Sequence, residues 1–60
     1  MDEKLVFTAI RDLLEGQPHK IGEICTKLNL GQKEVLSVLK SNAYSFDYRI
    51  MRGFKVWISI

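Results

Sequence analysis

Lys33, Lys40, Arg49, Arg52 and Lys55 carry the densest run of one charge in this 60-residue chain. Residues 33–60 hold five Lys/Arg against two Asp/Glu, whereas residues 1–32 hold four against five, so a formal net charge of only +2 hides a basic second half. One chemistry that cations spaced in this way offer is binding to a polyanion. They neutralise phosphates and release condensed counterions. Read at about 100° per residue, Lys33, Ser37, Lys40 and Ser41 share one polar helix face. Lysine there reaches phosphates or guanine edges, and serine donates to phosphate oxygen. A solvated helix face explains the same four residues. Arg49, Arg52 and Lys55 fall in a segment of period-two patterning, where charge also serves to protect an edge strand.

Other chemistries lack their residues. Cys25 is the only cysteine and His19 the only histidine, so no zinc site is expected. Cys25 lies in an apolar helical stripe and reads as a small core hydrophobe. His19, beside Pro18 and Lys20, reads as an exposed connector residue, with a phosphate contact as the other reading. No nucleophile is set beside a base, and no glycine loop is laid out to cradle a phosphate. The expectation is a binding protein without cofactors, not an enzyme. The acidic start Met1-Asp2-Glu3-Lys4 is unlike a secretory signal, and Met1 itself suggests a small complete gene product. No apolar run approaches the length of a membrane span. Together with the absence of paired cysteines, this suggests an intracellular protein, cytoplasmic or nucleoid-associated.

Short elements must position these cations. A first helix is expected from Asp2 to Glu15, with Leu5, Val6, Ala9, Ile10 and Leu13 at helical spacing and Gly16 and Pro18 as terminators. A second is expected from Ile21 to Asn29, with Ile21, Ile24, Cys25 and Leu28 inward, and a turn at Asn29-Leu30-Gly31. A third runs from Gln32 to Asn42 or Ala43, with Val35, Val38, Leu39 and Ala43 on its buried side. Pro18-His19-Lys20 is an extended connector suited to a small extra strand.

The last segment alternates as a hairpin. Phe46, Tyr48, Ile50, Phe54, Val56, Ile58 and Ile60 are expected inward, and Asp47, Arg49, Lys55, Trp57 and Ser59 outward. Pairing apolar with apolar favours a three-residue loop, Met51-Arg52-Gly53, with Gly53 left-handed. That register sets Arg49 opposite Lys55, a repulsion that a polyanion relieves. Trp57 is expected to form a small cluster with Tyr44 over the end of the third helix.

This order resembles the winged helix-turn-helix family over nearly the whole chain. The resemblance rests on the helix at Ile21–Asn29, the Leu30-Gly31 turn, the helix at Gln32–Asn42 and the wing at Phe46–Ile60. It implies an α+β fold, three helices followed by a C-terminal β-hairpin wing, as a single domain over residues 1–60. It also implies binding to duplex DNA as a small regulator or accessory factor, with the third helix in the major groove and the wing on the backbone. The chain is also similar to the Z-form nucleic-acid-binding subfamily in Gln32-Lys33-Glu34-Val35 and in Trp57. It departs from that subfamily at Leu36 and Lys40, and in having Phe54-Lys55-Val56 where the subfamily's wing has prolines.

Phe7, Ile10 and Leu14 widen the apolar arc of the first helix to about 200°, more than one packed face needs. The expectation is a homodimer or a partner protein on this helix. An alternative function follows from it: a protein-interaction winged helix, an adaptor or inhibitor acting through helix 1.

Overall fold

The computed structural model describes residues 2–60; Met1, and the expectations that rest on it, lie outside the described residues. The chain folds as α1 (Glu3–Gly16), α2 (Ile21–Leu28), α3 (Gln32–Ser41), β1 (Phe46–Met51) and β2 (Phe54–Ser59). Three helices followed by an antiparallel hairpin form the expected α+β arrangement, and the order is compatible with a winged-helix topology. Among the described residues, no helix is long and apolar enough to cross a membrane.

Local chemistry sets the helix ends. The Asp2 carboxylate accepts from the Lys4 N–H at 3.0 Å and caps α1, while Glu3 adds negative charge to its first turn. The Lys20 N–H donates to Glu23 Oε1 at 3.0 Å at the start of α2. That hydrogen bond is the main cause holding the Glu23 carboxyl below the usual glutamate range. Asn29 closes α2 in the left-handed region at φ 56°, and the Leu30 N–H returns to the Cys25 carbonyl at 3.0 Å. α3 ends where the Asn42 N–H and Nδ2 both donate to the Val38 carbonyl, at 3.1 and 2.8 Å.

The core is Val6, Ile10, Leu14, Ile24, Val35, Val38, Leu39 and Phe46, with Phe7, Leu13, Ile21, Cys25, Leu28, Leu30 and Trp57 packed around it. This corrects the reading of α1. Ile10 is fully buried and Leu14 nearly so, whereas Leu5, expected inward, is 65% exposed. Phe7 packs edge-on against Phe46 with ring centroids 5.4 Å apart, and the Arg11 guanidinium lies 5.6 Å from the centre of the Phe7 ring. The wide arc of Phe7, Ile10 and Leu14 is thus covered by this chain's own hairpin and helices. A helix that meets α2, α3 and β2 at once needs a broad apolar face, so that breadth calls for no second molecule. Ala43, expected on the buried side of α3, is exposed beyond the helix end, and Cys25 is half-buried at the margin of the core.

The hairpin register differs from expectation. Tyr48 pairs with Trp57, Arg49 with Val56, Ile50 with Lys55 and Met51 with Phe54. The loop is therefore the two residues Arg52-Gly53, not three. Both have positive φ, 54° and 81°, the combination whose twist matches that of paired strands in a type I′ turn. Apolar-to-apolar pairing failed as a guide because the outer half of the hairpin stands clear of the core. Tyr48, Ile50, Met51 and Phe54 are all at least half-exposed, so burial does not select a register there. Arg49 consequently does not face Lys55.

The connector adds a single β-bridge, not a third strand. The His19 N–H donates to the Trp57 carbonyl at 3.1 Å, and the Trp57 N–H to the His19 carbonyl at 2.7 Å. His19 is buried, not exposed, and this bridge holds it beside β2. Its Nδ1 lies 2.8 Å from the Gln17 carbonyl, an acceptor, so Nδ1 carries the proton.

Candidate nucleic-acid interface

α3 presents Lys33, Ser37, Lys40 and Ser41 to solvent. The helix rotates them outward because Val35, Val38 and Leu39 take the core side. The four are not equivalent. Ser37 lines a shallow hollow of about 200 Å³ with Glu3, Val6, Glu34 and Val38. Ser41 lines another of about 280 Å³ with Glu3, Lys4, Phe7 and Asn42. Both serines border the acidic start of α1, a poor setting for a phosphate. Lys33 and Lys40 line neither hollow.

The hairpin presents Arg49, Arg52 and Lys55, all exposed. Among the described residues the one ion pair is Arg11–Asp12, at 3.7 Å, so none of the five candidate cations is neutralised by a carboxylate within the chain. Lys55 instead lies over two rings, with Nζ 4.2 Å from the Tyr48 centroid and 4.9 Å from that of Trp57. Tyr48 and Trp57 meet edge-to-face at 5.7 Å. Trp57 thus clusters with Tyr48 across the hairpin, not with Tyr44, which is 80% exposed.

Residue-by-residue reading missed two features of this surface. Lys20 joins the hairpin from the connector, its Nζ 3.9 Å from the centre of the Phe54 ring. The signal for it is the extended connector Pro18-His19-Lys20, whose bridge to Trp57 sets Lys20 beside the hairpin. The second is the apolar component. Ile50, Met51 and Phe54 sit exposed among Lys20, Arg49, Arg52 and Lys55. Strict alternation hid them by assigning Ile50 and Phe54 to the inside.

Arg52 is a further departure from the ordinary. A non-glycine residue in the left-handed region is uncommon, and asparagine or aspartate is the usual choice at this turn position. A long cation held there projects from the very tip of the hairpin.

No family model matches this chain, and no match was found among curated proteins or solved structures.

Proposed function

We propose that this protein binds duplex DNA as a small regulator or accessory factor, with α3 in the major groove and the hairpin on the backbone. The observation that carries the reading is the set of exposed cations without intramolecular carboxylate partners on the two elements that a winged helix uses: Lys33 and Lys40 on α3, and Arg49, Arg52 and Lys55 on the hairpin. The strained backbone at Arg52 supports it, since local strain is retained where it serves a function. Phosphate contacts fall to the lysines and arginines, with Ser37 and Ser41 at the margin beside Glu3. Lys20 extends the hairpin's basic surface.

Affinity in this reading comes mainly from phosphate neutralisation, so sequence preference is modest and salt dependence steep. Each cation that meets a phosphate contributes about 0.9 to the slope of log affinity against log salt. The alternative, an adaptor acting through α1, has less to stand on. Ile10 and Leu14 are spent in the core and Phe7 is packed on Phe46, leaving Leu5 as the large exposed apolar side chain of that helix.

The test is fluorescence anisotropy of a labelled random duplex at several salt concentrations. The expected result is salt-sensitive binding, with the slope reduced by about two units in Arg52→Ala/Lys55→Ala and by about two in Lys33→Ala/Lys40→Ala. Absence of binding at low salt and high protein concentration refutes the proposal.

A further inference from the structure

The outer edge of β1 is an unpaired strand whose chemistry is complementary to itself. The N–H and C=O of Trp57 are both spent on His19, at 2.7 and 3.1 Å. They are therefore not available to Tyr48, and Tyr48–Trp57 is a non-hydrogen-bonded pair of the hairpin. The backbone groups of Tyr48 must then point away from β2, and by alternation so must those of Phe46 and Ile50. Among the described residues, no backbone hydrogen bond from outside the hairpin reaches Tyr48 or Ile50. The Tyr48 N–H is met only by its neighbour, Asp47 Oδ1, at 2.7 Å. Every residue from Asp47 to Met51 is exposed, so the strand is open on both faces as well as along its edge.

We infer that this edge pairs with the same edge of a second copy, antiparallel, about a two-fold axis at Tyr48. Charge selects the register. Centring the axis on Tyr48 sets Asp47 of each copy opposite Arg49 of the other, twice. Centring it on Asp47 or on Arg49 sets like charges face to face, and centring it on Ile50 leaves Arg49 against Met51. Backbone geometry selects the same register. Phe46, Tyr48 and Ile50 are the residues with outward-facing groups, and this axis pairs Tyr48 with Tyr48 and Phe46 with Ile50. Asp47 and Arg49 then form the intervening non-hydrogen-bonded pair, where side chains stand closest. The Tyr48 N–H exchanges the Asp47 carboxylate for the Tyr48 carbonyl of the other copy, which frees that carboxylate for Arg49.

On the other face, the Tyr48–Trp57 contact of each copy joins into a row of four rings. The partner is thus a second copy of this chain. The dimer sends the two Arg52 tips to opposite ends of one continuous sheet.

Charge-reversed variants test this with the protein intact. Sedimentation equilibrium of the wild type is expected to show a concentration-dependent dimer. Asp47→Arg alone and Arg49→Asp alone are each expected to weaken it by about tenfold or more, since each places like charges across the axis twice. An equimolar mixture of the two single variants restores opposite charges at both contacts and is expected to dimerise as the wild type does. The doubly exchanged chain, Asp47→Arg/Arg49→Asp, should do the same, which separates the effect from misfolding. A wild type that stays monomeric at millimolar concentration overturns the inference. So does a dimer indifferent to the single reversals, or a mixture that associates no better than either variant alone.

Discussion

Arg52 shows how a residue can be costly for the fold and still informative. Its φ of 54° lies in a region that most side chains avoid, ahead of Gly53 at 81°. Asparagine fits this position with less strain. Arg52→Asn is therefore expected to raise stability by about 1 kcal/mol, read from the midpoint of a urea melt. The same change should weaken DNA binding and lower its salt slope by about one. A variant that is neither more stable nor weaker in binding would show that the arginine is neither strained nor in contact with DNA. The candidate cations were legible at this scale because charge is read directly from residue type. The burial of His19 was not, since it depends on a backbone bridge to Trp57, far away in the chain.

At the scale of elements, the three helices could be read from periodicity and end signals to within a residue or two. Asp2 caps α1, Asn29 ends α2 in the left-handed conformation, and Pro18 keeps α1 from running on. Which flank of α1 is buried was less legible. Leu5 and Leu14 both lie on a broad arc, and only packing against α2, α3 and β2 distinguishes them. Leu14→Ala is expected to cost about 2–5 kcal/mol. A domain this small has little more than that in reserve, so the variant should be largely unfolded at room temperature. Leu5→Ser should fall within about 0.5 kcal/mol of the wild type. Thermal melts followed by circular dichroism check both, and equal losses would contradict the observed burial. The hairpin register was lost for a related reason. Alternation identifies a register only where one face is buried, and beyond Phe46 and Val56 this hairpin has little buried face to report.

For the molecule as a whole, the fold class followed from element order, while the proposed DNA binding rests on where charge remains unpaired. Among the described residues, folding forms no ion pair between the acidic and basic halves. The cations of α3 and the hairpin have no carboxylate partners within the chain, while Glu3 stands beside Ser37 and Ser41. In the proposed reading a polyanion meets α3 and the hairpin, not α1. The most direct test of that central claim is to titrate ¹⁵N-labelled protein with an unlabelled random duplex at low salt and follow its amide resonances. The account predicts shifts at residues 31–41 and 49–55 and at Lys20, with the exposed part of α1 around Asp12 and Glu15 unmoved. Shifts confined to α1, or none at saturating duplex, would contradict it.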